Sequence, residues 1–235
     1  MFNHSEAATD SSSNNQTIMT MLFDLDGTIL DTNELIIQSF LHALDGIVDS
    51  DFGSEQIIPL MGQPLTKQLQ HFSGMENVSG LLAKYREHNL RIHDEYVRPF
   101  PHVNEVVRTL HEKGVKLGVV TTKIRLTTER GLTFVGLRDY IGSAITIDDV
   151  RHAKPHPEPV LRALEELGAD PASTMMIGDS VVDIESANAA GVVSVGVAWS
   201  LKGERMLREA GARHIIRDMR DLYKFVSQER ASDGS

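Results

Sequence analysis

The stretch Phe23-Asp24-Leu25-Asp26-Gly27-Thr28 follows directly on a short apolar run that reads as a buried strand. Side chains two apart on an extended chain project to the same side, so Asp24 and Asp26 stand side by side at the strand end. Gly27 comes next, a residue free to take the sharp exit that a Cβ resists. Parallel sheets build their active sites beyond the carboxyl ends of their strands, which is where both carboxylates fall. Alone, the hexapeptide also fits a turn or a loose calcium loop. Its meaning depends on what the rest of the chain brings to it.

Working outward, strand-like apolar runs alternate with helical patterns, the signature of a parallel α/β sheet. Strands are predicted over 20–26, 116–122, 144–147, 174–179 and 192–198, with 212–216 as a candidate sixth. Helices are predicted near 102–113, 125–136, 157–168, 181–190, 202–210 and 219–229, and Gly114, Gly168 and Gly191 sit where C-terminal caps are common. Residues 33–98 break the alternation. They hold no convincing strand and read as amphipathic helices over 33–44, 53–60, 64–72 and 78–96, too much chain for a simple crossover. The expected architecture is a Rossmann-like parallel core over 18–32 and 99–230, with an inserted α-helical cap over 33–98 above the strand ends. Residues 1–17, rich in Ser, Asn, Thr and Gln, are expected to form a disordered leader.

Composition narrows the chemistry. The chain of 235 residues carries a formal charge of −10, which argues against non-specific nucleic-acid binding. An acidic protein that handles an anion must gather cations locally, through a metal ion and a few placed Lys or Arg residues. The absence of cysteine excludes disulfides and thiolate chemistry and fits a cytoplasmic location. No stretch has the length of a membrane span, and no signal peptide is visible.

The predicted strand ends carry further polar residues. Thr121 and Thr122 end the second strand, Lys154 lies after the third in Ala-Lys-Pro-His-Pro, and Asp179 ends the fourth with Asp183 four residues on. In a doubly wound sheet these converge on one crevice. Crowded carboxylates repel, so a Mg²⁺ ion and a lysine become electrostatic requirements, and the assembly then suits a phosphoryl group. Asp24 is the candidate nucleophile. Asp26 is the candidate general acid and base. Thr121, Thr122 and Lys154 are candidate phosphate contacts, with Lys154 also restraining Asp24. Asp24, Asp26 and Asp179 are the candidate metal ligands, oriented by Asp183. Each signal has an ordinary alternative: strand threonines, a surface Lys-Pro loop, a helix N-cap at Gly-Asp-Ser. Four of them at successive strand ends argue for one site. In the cap, a Gly62-Gln63-Pro64 turn with Lys67, Arg86 and Arg91 are candidates for substrate choice. His42, His71, His88 and His93, and Thr127, Thr128 and Glu129, read as packing or surface residues.

Phe-Asp-Leu-Asp-Gly-Thr, the threonine closing Gly-Val-Val-Thr-Thr, Lys154-Pro155 and Gly178-Asp179-Ser180-x-x-Asp183 resemble the four motifs of the haloacid dehalogenase superfamily, over residues 18–229. The resemblance implies Mg²⁺ dependence and an aspartyl-phosphate intermediate, with the Asp26 backbone carbonyl in the metal shell. Residues 32–42, 60–65, 107–114, 120–125, 148–150 and 196–203 resemble the PpaX-type inorganic pyrophosphatases, a group that hydrolyses pyrophosphate, including that released in metabolism of the serine-phosphorylated sugar-transport protein HPr. His156 departs from the aspartate usual in that group. Mg²⁺-dependent hydrolysis of a small anionic substrate, pyrophosphate, by a monomer or weak homodimer is thus the leading expectation. A phosphatase for phosphoglycolate or a sugar phosphate, a phosphosugar mutase and a non-catalytic phospho-acceptor module are the alternatives.

Overall fold

In the computed structural model, which describes residues 17–226, the chain forms β1 (Thr20–Phe23), β2 (Leu30–Asp31), α1 (Asn33–Leu44), α2 (Ser54–Ile57), α3 (Leu65–Ser73), α4 (Ser79–Tyr96), β3 (Arg98–Pro99) and α5 (Val103–Glu112). It continues through β4 (Lys116–Val120), α6 (Arg125–Phe134), β5 (Ser143–Ile145), α7 (Glu158–Leu167), β6 (Thr174–Gly178), α8 (Val181–Ala189), β7 (Val193–Val197), α9 (Glu204–Glu209) and β8 (His214–Ile216). Six parallel strands pair in the order β5-β4-β1-β6-β7-β8. The chain builds outward from β1 through β4 to β5, then returns to its other side at β6. That reversal opens a crevice beside the end of β1.

The period-two pattern decides which face each β1 side chain enters. Met21 and Phe23 join one apolar cluster, with Val106, Leu110, Val119 and Ile177. Leu22 points the other way and joins Val120, Ile145, Val160 and Met176. A strand buried on both faces needs an unbroken apolar run, and Met21, Leu22 and Phe23 are each 0% exposed.

The helical insertion leaves and re-enters the core through an antiparallel ribbon, Leu30 opposite Pro99 and Asp31 opposite Arg98. α1 packs along α4, and the insertion has its own apolar centre of Ile37, Phe40, Leu44, Ile57, Met61, Leu69, Leu81 and Tyr85. Phe40 sits edge-on to Phe72 and Tyr85 at centroid distances of 5.4 and 4.9 Å, a favourable aromatic geometry.

Two expectations shift, and a third lies outside what the structure describes. The first strand ends at Phe23, because beyond it Gly27 donates to the Leu30 carbonyl and the chain turns. The last helix is a 3₁₀ segment, Met219–Phe225. The leader expected over 1–17 lies, except for Thr17, outside the described residues, as does the end of the predicted 219–229 helix.

A 3₁₀ turn, Ile147–Asp149, follows β5 and brings Ile147 and Asp148 to the crevice. Asp149 fastens it. Its carboxylate accepts from the Thr146 amide and hydroxyl at 2.8 and 2.6 Å and from the Arg125 guanidinium at 2.5 Å. Burial alone would raise this carboxyl, but those donors hold it down at about 2. A depressed carboxyl stabilises the fold in full above its unfolded value and loses that contribution as the pH falls through its folded value. Asp149→Ala is therefore expected to cost about 1–2 kcal/mol near neutral pH. In urea unfolding, the gap from the wild type should hold down to about pH 5 and close as the pH drops from about 4 towards about 2. A gap that persists at the acid end would show that the carboxylate is not its source.

Candidate active site

Register brings the polar strand ends to one level. Phe23 pairs with Val119 on one side and Ile177 on the other, and the Asp24 amide donates to the Ile177 carbonyl at 2.8 Å. Asp24 is therefore level with Val120 and Gly178, and Thr121 and Asp179, one residue further along their chains, join it at the mouth of the crevice. Gly27, with φ +80°, makes their approach feasible, since a Cβ there would lie 2.7 Å from the Asp179 carboxyl carbon.

Lys154 is the centre of this group. Its ammonium donates to Asp24 Oδ1 at 2.7 Å, to Asp183 Oδ1 at 2.5 Å and to the Val120 carbonyl at 2.8 Å. With 3% exposure it has no route to bulk water. Burial would discharge it, but Asp183 and Asp24 together keep its pKa raised. Asp183 gives its second oxygen to the amide and hydroxyl of Ser180, at 3.0 and 2.5 Å, so it caps α8 and holds the lysine at once. Asp179 accepts from Lys202 at 3.1 Å, while its carbonyl takes the Ser200 hydroxyl at 2.6 Å.

The charges do not close. Three buried carboxylates, Asp24, Asp179 and Asp183, face two ammonium groups. Burial, with Asp183 and Asp179 nearby, pushes Asp24 well above the usual carboxylate range against the pull of Lys154. Burial raises Asp179 in the same way, against Lys202. Oxygen atoms from all three carboxylates lie within 4.8 Å of one another. An oxygen-only donor set with surplus negative charge fits a hard divalent cation.

Asp26 faces a different set of partners. Its Oδ1 accepts from the Thr32 hydroxyl and from Lys123, both at 2.7 Å, and the carboxylate stays outside the three-membered cluster. Thr121 is 5% exposed, and its oxygen accepts from the Lys123 amide at 3.2 Å, leaving the hydroxyl proton to donate. Thr122 reaches upward instead: its hydroxyl donates to the Gly62 carbonyl in the insertion at 3.0 Å. Gly62, with φ +94°, lies so close to the core that a Cβ would come within 2.9 Å of the Ser180 hydroxyl oxygen.

The insertion thus roofs a cavity of about 310 Å³ floored by Asp24, Asp26, Thr121, Thr122 and Asp179. Gly62, Gln63 and Pro64 line it. Arg86 also reaches it, whereas Lys67 is exposed and outside the lining and Arg91 turns to His88. Two side chains read as surface residues are buried: Thr127 lines the cavity and Thr128 is 0% exposed. Both donate to the Ile124 carbonyl, which satisfies their hydroxyls locally and frees the helix to turn that face inward.

Several site residues carried no separate sequence signal. Lys123 immediately follows the two threonines, and Lys202 reaches Asp179 across 23 positions. Gln68, Tyr85 and Asn89 line the roof. Gln68 donates to the Gln63 carbonyl at 2.7 Å while its own buried oxygen has no partner. Burial and the nearby Asp26 push the Tyr85 phenol upward, so it stays neutral. Positions on one helical face are separable only once the insertion has docked.

The chain is similar to known proteins over most of its length. Residues 21–197 match the family of haloacid dehalogenase-like hydrolases. The chain is 42% identical over 209 residues to the pyrophosphatase PpaX of Halalkalibacterium halodurans, covering 89% of this chain and 97% of that one. It is 43% identical, with the same coverage, to the pyrophosphatase PpaX of Anoxybacillus flavithermus. The fold superposes on a hydrolase from Pseudomonas syringae with a TM-score of 0.80 at 24% identity, over 89% of this chain and 100% of the other. Among the described residues, no helix is long and apolar enough to cross a membrane. The parallel sheet, the four strand-end elements and these matches agree: the chain belongs to the haloacid dehalogenase-like hydrolase family and is a phosphohydrolase.

Proposed function

We infer that this enzyme hydrolyses inorganic pyrophosphate through an aspartyl-phosphate on Asp24. The observation that carries the mechanism is the asymmetric state of Asp24: Oδ1 is tied to Lys154, so Oδ2 is left to attack, and the carboxylate borders the cavity. The pyrophosphate specificity draws its support from the PpaX relatives. When bound, a Mg²⁺ ion held by Asp24, Asp179 and the Asp26 backbone carbonyl supplies positive charge that lets two anions approach.

Asp24 Oδ2 forms a bond to one phosphorus as the bond from that phosphorus to the bridging oxygen breaks. Asp26 gives its proton to the departing phosphate. Thr32 and Lys123 fix one of its oxygens and leave the other free for that transfer. Thr121 donates to a phosphoryl oxygen, and Lys154 balances the charge on the group in transit. Asp26 then takes a proton from water, which attacks the acyl phosphate, releases the second phosphate and restores both aspartates. On this reading the protein works in the cytoplasm, as a monomer or weak homodimer.

One observation favours a second substrate class. The roof presents Ile36, Phe40, Met61 and Leu65 to the cavity, an apolar surface that two phosphates do not require and the carbon skeleton of a small phosphate ester does. A panel decides: with Mg²⁺ and equal concentrations, phosphate release from pyrophosphate should exceed that from phosphoglycolate, glucose phosphates and nitrophenyl phosphate. A preference for an ester moves the assignment to the second class.

Asp24→Asn is expected to abolish turnover and the acid-stable, hydroxylamine-labile phosphoenzyme seen on rapid quench, and full activity in this variant would sink the mechanism. Asp26→Asn should retain phosphoenzyme formation in part and lower kcat by about 10²–10⁴. Removing divalent ions with EDTA should stop hydrolysis, and restoring Mg²⁺ should recover it. Lys154→Met leaves Asp24 and Asp183 buried without their cation. It should cost about 3–5 kcal/mol in denaturant unfolding at neutral pH, and a variant as stable as the wild type would mean that the lysine is not the neutralising group.

A further inference from the structure

Among the described residues, two clusters bring ligand atoms from three His, Asp or Glu side chains within 4.8 Å of one another. One is the carboxylate cluster at the active site. The other is His152, His156 and Glu158, on the outer side of the segment whose middle residue is Lys154. We propose that these three side chains form a second metal site, taking a borderline transition-metal ion such as Zn²⁺ or Ni²⁺.

The geometry is built by the segment itself. Glu158 starts α7 and turns its carboxylate back over the preceding residues, accepting from the Arg151 and His152 amides at 2.8 and 3.0 Å. His152 Nδ1 lies 2.8 Å from Glu158 Oε2, and the Glu158 amide donates to His156 Nδ1 at 3.1 Å. The two imidazole rings face each other at 4.6 Å, tilted by 32°. The backbone is pinned from behind, where Ser186 donates to the His156 carbonyl at 2.8 Å and Lys154 is fixed on Asp24. Little chain entropy therefore remains to be lost on binding.

A tetrahedral ion with bonds of about 2.0–2.1 Å separates its donors by about 3.3 Å. A His–carboxylate pair sharing one proton is already near that spacing. An ion replacing the proton needs only rotations of two exposed imidazoles, and its fourth position is open to water. Two imidazoles and one carboxylate select ions that accept nitrogen, and they disfavour Mg²⁺. The site is thus chemically distinct from the carboxylate cluster. The backbone amides on Glu158 orient its carboxylate as outer partners orient metal ligands. An ion here closes a clip around the residues flanking Lys154.

The test uses the full chain with excess Mg²⁺ present. Ni²⁺ titrated by calorimetry should bind at one site, and a single equivalent of Cu²⁺ should give an electron paramagnetic resonance spectrum with two nitrogen ligands. His152→Ala and His156→Ala should each weaken Ni²⁺ binding about tenfold or more and remove one nitrogen. Both imidazoles are exposed, so unfolding temperatures without metal should stay unchanged. Asp179→Asn, in the carboxylate cluster, should bind Ni²⁺ as the wild type does, and so should His42→Ala, from the other close imidazole pair at 4.1 Å. Wild-type binding in both segment variants overturns the proposal, as does loss of binding that follows Asp179 or His42 instead.

Discussion

Everything at the strand ends is organised around one buried ammonium group. Lys154 reaches Asp24 across 130 positions of chain and Asp183 across 29. Removing a lysine and two carboxylates from water is costly unless each charge is answered at hydrogen-bonding distance. The sheet answers them by placing the ends of β1, β4 and β6 level, so that one donor meets two acidic side chains and the Val120 carbonyl together. The Ser180 capping contacts to Asp183 and the Lys202 contact to Asp179 then bring the adjoining loops into the same network. The residual negative charge is not a flaw of packing. It leaves a cluster of three carboxylates whose oxygens lie within 4.8 Å of one another, a donor set that fits a hard divalent cation.

The contrast between Asp24 and Asp26 follows from the same network. Two residues apart and chemically identical, they end in different surroundings because the hydrogen bonding to the sheet stops between them: the Asp24 amide makes the last bond across. Asp24 is still held by the ladder, through its amide, and faces the lysine. Asp26 lies in the turn, partly open, and faces Thr32 and Lys123. Environment rather than residue type separates the two carboxylates, one buried against Lys154 and the other partly open in the turn.

Much of this was legible before any coordinates. The core strands announced themselves as apolar runs, and the residues at their ends fell into one crevice once the sheet was known to be parallel. The helical insertion showed itself by lacking a strand over some sixty residues. What escaped had a physical reason in each case. Lys202 reaches Asp179 only because the chain after β7 turns through Ser200. Tyr85, Asn89 and Gln68 lie on helical faces whose orientation depends on how the insertion docks. Thr127 and Thr128 are polar yet buried because each hydroxyl donates to the carbonyl of Ile124 at the N-cap of its own helix, which leaves little desolvation cost. The predicted terminal helix is a tighter 3₁₀ segment in its described part, a distinction that periodicity does not resolve.

The two-residue ribbon of β2 and β3 has a consequence for how such an enzyme changes over time. The insertion departs and returns at adjacent points, and its apolar centre is separate from those of the sheet. To the core, it amounts to a long loop with fixed ends. Away from the Gly62 turn, which touches Thr122 and Ser180, reshaping it leaves the strand order and the lysine-centred network in place, so selection acting on the roof is largely decoupled from selection acting on the floor. The reaction can stay constant over evolutionary time while the molecules admitted to it diversify.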